Sequence, residues 1–251
     1  MMQTKNLSLK IGNTLVCHEL DWEIKPGERW AILGINGSGK TTLLHTLAGL
    51  QADFSGEILL QEQPIQSLAR KTIAQQLGLL LQQQEDHFPG TVLETVLIGR
   101  HPHLNAWQWE TETDISIARE ALKKMGLENF EQRSIQTLSG GERQRVALAT
   151  LITQQTPLLL LDEPINHLDI HQQHDVMQLL LNKDSSNTTL CVLHDVNLAA
   201  RYCNNALLLL GEGQTRAGPC EEVLTENHLS TLYQHPIEKI IHKGKHIYIP
   251  G

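Results

Sequence analysis

The eight residues Gly34-Ile35-Asn36-Gly37-Ser38-Gly39-Lys40-Thr41 constrain this chain more than any other feature in it. They fit the pattern G-x-x-x-x-G-K-[ST] at every fixed position, and that pattern needs a strand in front and a helix behind. Both are legible. Trp30–Leu33 is a short apolar run of strand length, and Lys40–Ala48 carries apolar residues at helical spacing until Gly49 stops it. Glycines let a backbone approach a ligand where a Cβ would collide, and turned N–H groups beside a helix N-terminus offer positive potential. The ligand this chemistry suits is a polyphosphate. Lys40 is placed to reach β- and γ-phosphates, and the Thr41 hydroxyl to ligate Mg²⁺.

The rest of the chain agrees with a strand–loop–helix unit of this kind. Asn6–Leu9 and Leu20–Ile24 read as strands, with Gly12-Asn13 and Pro26-Gly27 as turn signals, and Gly56–Leu60 suggests another strand. Ile73–Leu81 ends in an apolar run that reads as strand or helix. Between about 86 and 152 the pattern changes: Thr91–Gly99, Glu112–Lys124 and Glu142–Ile152 space their apolar residues as helices do. After Pro157 the alternation resumes, with strands at Leu158–Leu161, Thr189–Leu193 and Ala206–Leu210, and helices at Ile170–Leu181, Asn197–Cys203 and from Glu221 to Thr225. Such alternation on both sides of a helical block predicts a mostly parallel α/β sheet with a helical insertion, whose ligands bind beyond the carboxyl ends of the strands.

Composition excludes several classes. With 251 residues, 40% apolar and 19% charged, the chain is large enough for a sizeable core and too apolar for disorder. The net charge of −8 argues against a nucleic-acid partner. No apolar run approaches the ~18 residues of a membrane span, and the first ten residues lack the apolar stretch of a secretory signal. Cys17, Cys191, Cys203 and Cys220 form neither a C-x-x-C pair nor a disulfide framework, so a reducing, cytoplasmic setting is expected.

Two further segments carry chemistry. Leu158–Leu161 runs straight into Asp162-Glu163-Pro164. A carboxylate at the end of a buried strand is costly unless it meets a cation. Asp162 is placed to hold Mg²⁺, and Glu163 to accept a proton from an attacking water. Leu138-Ser139-Gly140-Gly141-Glu142 opens a helix with the spacing of a capping box. The cap alone needs no pair of glycines; bare backbone at a helix N-terminus suits an approaching anion.

With these residues in hand, the chain resembles the nucleotide-binding subunit of an ABC transporter over essentially its whole length, and Leu138–Glu142 resembles that family's signature. The resemblance implies a P-loop NTPase (RecA-like) parallel-sheet core with an N-terminal antiparallel β subdomain and an inserted α-helical subdomain. A single domain is expected, with a core at about 1–85 and 153–215, the helical part at about 86–152 and a tail at about 216–251. It implies ATP contacts from Gly34, Asn36, Gly37, Ser38, Gly39, Lys40, Thr41 and Thr42. It also implies a head-to-tail dimer in which Ser139, Gly140 and Gly141 of one copy cover the γ-phosphate held by the other. Gln82 resembles the lid glutamine that contacts Mg²⁺ and ATP, although Leu81 stands where the family usually has proline. Asn166-His167-Leu168-Asp169 resembles the loop that touches the opposite subunit, and Asp169 is equally the N-cap of the helix after it. His194 resembles the switch histidine beside the γ-phosphate. Ile11 stands where an aromatic residue often stacks on adenine.

The stretches 91–103 and 217–224 are similar to the importer subunits for iron–siderophore, haem and cobalamin. The partners implied are a second copy, transmembrane permease subunits and, indirectly, a periplasmic or surface binding protein. The implied location is the cytoplasmic face of the inner membrane. Importers of molybdate or another metal, and an ABC ATPase outside transport, are the alternatives. His101, His103, His167, His171 and His174 read as solvated surface. Trp107 and Trp109 either pack in the helical insertion or face a partner.

Overall fold

The computed structural model describes residues 1–51, 53–81, 89–105, 107–182 and 187–251. The chain opens with the antiparallel hairpin β1 (Met2–Ile11) and β2 (Thr14–Ile24), followed by the buried strand β3 (Arg29–Gly34) and helix α1 (Lys40–Leu47). β4 (Phe54–Leu60) returns to pair with β1, and the two-residue β5 (Gln63–Pro64) extends that antiparallel sheet. The segment readable as strand or helix is both, α2 (Arg70–Gln76) and then β6 (Leu77–Leu80). The helical subdomain follows as α3 (Val92–Leu97), a 3-10 turn over Ile98–His103, α4 (Glu112–Lys124) and α5 (Gly140–Thr153).

Strand and helix then alternate as β7 (Leu158–Asp162), α6 (Ile170–Leu180), β8 (Thr188–Val192), α7 (Val196–Tyr202) and β9 (Asn205–Gly211). The chain ends with β10 (Gln214–Pro219), α8 (Cys220–Val223), α9 (Glu226–Tyr233) and the hairpin β11 (Ile237–His242) and β12 (Lys245–Pro250).

Among the described residues the central sheet runs β10-β9-β3-β8-β7-β6, parallel throughout except for β10 at its edge. A parallel sheet is covered on both faces, so its strands read as continuous apolar runs. Side chains nevertheless alternate between two cores. Trp30, Ile32, Leu158, Leu160, Leu190 and Val192 pack on the side of α1 and the antiparallel sheet. Ala31, Leu33, Leu159, Leu161, Cys191 and Leu208 pack on the side of the helical subdomain and α6, α7 and α9. Each buried leucine contributes about 1.5–3 kcal/mol relative to exposure. That two-sided demand fixes the register of β3, β8 and β7, and with it the positions of the loops at their carboxyl ends.

The helical subdomain is joined to the sheet through polar contacts at the end of α5. The Gln154 side-chain amide donates to the carbonyls of Ala74 (2.6 Å) and Leu77 (3.2 Å), at the foot of β6. Buried Arg100 donates to Asp114 (2.8 Å) and to the Thr153 carbonyl (3.1 Å), pinning the 3-10 turn between α4 and α5.

Candidate functional site

In register, Ile32 of β3 sits beside Val192 of β8, and Val192 sits beside Asp162 of β7. Three neighbouring parallel strands therefore end at one level. Two residues past Ile32 is Gly34, two past Val192 is His194, and Asp162 is itself at the edge. Strand spacing of about 4.8 Å puts all three loops within reach of one small ligand.

The loop after β3 closes tightly into α1. Gly37 and Gly39 have φ of 78° and 91°. Gly39 is the N-cap, and a Cβ there would meet the side chain of Val16 from β2. The Ser38 backbone N–H donates to the Ile35 carbonyl at 3.2 Å, and its buried hydroxyl has no hydrogen-bond partner among the described residues. The Lys40 ammonium is buried and donates to the carbonyls of Gly34 (2.8 Å) and Ile35 (3.0 Å). Burial lowers its pKa, against the opposing pull of Glu163 and Asp162. Asn36 is exposed at the loop tip, and Thr41 and Thr42 are half-buried on the first turn of α1.

Asp162 is fully buried, and neither carboxylate oxygen has a hydrogen-bond partner among the described residues. Burial raises its pKa. The nearby Thr41 hydroxyl opposes this most, followed by the His45 and Lys40 charges, while Glu163 adds to the rise. An orphaned buried carboxylate beside a hydroxyl is a donor set for a hard cation, so Thr41 and Asp162 fit Mg²⁺.

Glu163 adopts φ 49°, a left-handed conformation that turns the chain sharply out of β7. Its Oε1 lies 2.5 Å from Nε2 of His194, and its Oε2 accepts a hydrogen bond from the Asn166 side-chain amide. Glu163 and His194, singled out separately in the sequence, are therefore in direct contact.

The signature segment stands apart from this cluster. Among the described residues no hydrogen bond or ion pair links 139–142 to 34–42. The capping box at the start of α5 is present. Ser139 Oγ accepts from the Glu142 N–H (3.3 Å), and Glu142 accepts from the Ser139 N–H (2.7 Å) and hydroxyl (2.8 Å). These bonds hold the Glu142 carboxyl below its ordinary pKa. Gly141 has a reason within its own chain that the sequence did not disclose: a Cβ there would stand 3.0 Å from the His167 carbonyl. The loop from Glu163 to Asp169 packs against the N-terminus of α5, where Gln144 donates to the Pro164 carbonyl at 2.9 Å. Asp169 caps α6 by accepting the Gln172 N–H at 2.8 Å. Gln82 lies outside the described residues, as do Gln83 and Gln84; β6, from which that segment leaves, is the neighbour of β7.

Sequence reasoning missed three contributors: Val16 behind Gly39, Gln144 on the Pro164 carbonyl, and the bond from Asn166 to Glu163. Asn166 carried a signal, since it follows Glu163 by the three residues of one turn. The expected surface histidines have protein partners. His171 pairs with Asp175 (2.9 Å), His174 with Arg201 (3.0 Å) and half-buried His103 with the Gln154 carbonyl (2.8 Å). Ile11 is 40% exposed at the end of β1. No helix among the described residues is long and apolar enough to cross a membrane.

The sequence model of the ABC transporter family matches residues 17–166, a span that takes in the Lys40 loop, the Ser139 helix start and the Asp162 strand. The chain belongs to the ABC transporter family. As an ABC ATPase it binds and hydrolyses ATP, and its fold is that of the family, with an antiparallel β subdomain and a helical subdomain on the P-loop core. It is 39% identical over 237 residues to the petrobactin import ATP-binding protein FpuD of Bacillus anthracis, covering 93% of this chain and 86% of that protein. It is 37% identical over 236 residues to the ferric enterobactin transport ATP-binding protein FepC of Escherichia coli K12, covering 92% and 86%. Among solved structures it superposes with a TM-score of 0.85 and 29% identity on a chain of an inward-facing ABC transporter described as of metal-chelate type, covering 99% of this chain and 96% of that one.

Proposed function

We propose that this ABC ATPase powers an importer for a metal chelate, of which iron–siderophore complexes are the leading class and haem and cobalamin the related ones. The substrate class is supported by the near-full-length likeness to the petrobactin and enterobactin proteins. The reaction is carried by one observation above the others. Lys40, Asp162, Glu163 and His194 come from three separate loops and converge at the edge of three adjacent strands.

In this reading the triphosphate lies on the backbone of Gly34, Asn36, Gly37, Ser38 and Gly39, with Lys40, Thr41 and Thr42 at the helix start. Binding exchanges the Lys40 bonds to the Gly34 and Ile35 carbonyls for bonds to phosphate oxygens. Thr41 and Asp162, with Gln82 as the resemblance implies, would hold Mg²⁺, which when bound would offset the phosphate charge. Glu163 takes a proton from water as the water oxygen bonds to the γ-phosphorus and the bond to the β-phosphate oxygen breaks, leaving ADP and phosphate. His194 orients Glu163 and the γ-phosphate.

Ser139, Gly140 and Gly141 of a second copy close the site, with Asp169 at the same interface. Beside Asp169, Ile170 is an apolar side chain 87% exposed, which a partner copy would cover. ATP closes the pair and hydrolysis reopens it; that difference in binding between states drives the membrane partner. The permease docks on the helical part, about residues 86–152, whose Trp107 and Trp109 are 100% and 86% exposed. The remaining divisions are a core of about 1–85 and 153–215 and a tail of about 216–251. The dimer sits at the cytoplasmic face of the membrane, and a substrate-binding protein delivers the chelate to the permease from the other side.

The test is Glu163→Gln. It should bind ATP with near-normal affinity and hydrolyse it at least a hundredfold more slowly. A wild-type rate would remove Glu163 from the role of base. Co-purification with a multi-span membrane protein tests the transport assignment.

A further inference from the structure

Resting on the assignment of Glu163 as base, we propose that Asn166 is a positioning residue that holds the Glu163 carboxylate in its reactive orientation. The terminal torsion of a glutamate side chain is broad and roughly two-fold, so an unsupported carboxylate samples many orientations. Here it is gripped from two sides. His194 Nε2 stands 2.5 Å from Oε1, and the Asn166 side-chain amide donates to Oε2. An amide N–H is a donor only, so this contact requires the carboxylate oxygen as acceptor and fixes which way that oxygen faces.

Asn166 is itself anchored, as a positioning group must be. Its backbone N–H donates to the Glu163 carbonyl at 3.2 Å, closing the turn that the left-handed Glu163 begins. The loop it occupies is braced on one side by Gln144, which donates to the Pro164 carbonyl at 2.9 Å. The His167 carbonyl lies against Gly141, where a Cβ would stand only 3.0 Å from it. At its far end Asp169 caps α6. The orientation of the base is thus tied to a loop that is fastened to the start of the signature helix. Preorganisation of this kind acts on the chemical step and not on nucleotide affinity, and a misplacement of about 1 Å costs up to a hundredfold in rate.

The test uses the full chain and measures kcat and KM for ATP, single-turnover rates and thermal unfolding. Asn166→Ala should lower kcat about tenfold or more with KM within about twofold. Asn166→Asp keeps the shape but replaces the donor with an acceptor; it should lose at least as much, with an unfolding temperature near wild type. In the Glu163→Gln background, Asn166→Ala should bring no further loss, because the group it positions is gone. Wild-type kcat in both Asn166 variants overturns the inference while leaving Glu163 as base. So does an equal fold-loss in the wild-type and Glu163→Gln backgrounds, which would place the action of Asn166 elsewhere. A normal rate for Glu163→Gln alone removes the base assignment and this inference with it.

Discussion

Replacing Gly39 by alanine isolates what the phosphate loop demands of its own scaffold. Gly39 holds φ 91° and ψ 16° as the residue that caps α1. For an L residue the left-handed region costs about 1–2 kcal/mol. The new methyl would also stand 2.8 Å from Val16 Cγ1 and closer still to Cγ2. Val16 is buried in β2 and cannot swing into solvent. Overpacking of this kind costs about 1–3 kcal/mol. The sum, about 2–5 kcal/mol, is a large part of an ordinary folding stability of roughly 5–15 kcal/mol. At about 2–4 °C per kcal/mol for a chain of this size, the thermal midpoint should drop by roughly 4–20 °C.

The two causes separate in a double-mutant cycle. With Val16→Ala in place the collision is relieved and only the backbone cost remains. Gly39→Ala should then cost about 1–2 kcal/mol, a coupling of about 1–3 kcal/mol between the sites. Denaturant unfolding of the four proteins without nucleotide measures it. Equal costs in both backgrounds would refute the packing argument, and a cost below about 0.5 kcal/mol would refute the strain argument as well.

Asp162→Asn should raise the unfolding midpoint without nucleotide, because it removes a carboxyl group whose charged form is disfavoured by burial and whose oxygens have no hydrogen-bond partner among the described residues, worth about 1–3 kcal/mol, while abolishing hydrolysis; a drop in midpoint would show that the carboxylate is satisfied. Asp114 gives a pH dependence. Hydrogen bonds from Thr111 chiefly, and then Arg100, lower its pKa from 3.8 to about 2. A depressed folded-state pKa contributes stability that is complete above the unfolded value and is lost as pH falls through the folded one, so on the order of 2 kcal/mol should disappear between about pH 4 and pH 2. Unfolding free energy measured across that window in wild type and Asp114→Asn checks it, and identical slopes would contradict it.

Much of the architecture was legible because burial on both faces of a parallel sheet writes itself into runs such as Leu158–Leu161, and Glu112–Lys124 shows its boundaries through a threonine cap and terminal lysines. The first hairpin is longer than its sequence suggests: the expected strands are Asn6–Leu9 and Leu20–Ile24, and it spans Met2–Ile11 and Thr14–Ile24. Register shifts along the pair, with Asn6 and Glu19 at positive φ, break the simple alternation that marks a strand. The segment 73–81 was ambiguous because its helix and strand meet without a turn residue; Gly78, packed under Leu151, lies inside the strand and does not mark the junction. β10, the β11–β12 hairpin and α9 lie outside the expected elements: the strands are mostly exposed, and α9 is short, with only Leu229, Leu232 and Tyr233 as its apolar face. At the site, residue identities pointed to the chemistry, whereas contacts set by backbone geometry, Gly141 under His167 and Asn166 on Glu163, became visible only in three dimensions.

Two copies of the chain are proposed to complete each ATP site between them, and the size of the particle in solution tests this most directly. Small-angle scattering or sedimentation of Glu163→Gln should report a monomer without nucleotide and a dimer with ATP, and Ser139→Arg in the same background should stay monomeric. A particle that remains monomeric at saturating ATP, with and without permease present, would contradict the account.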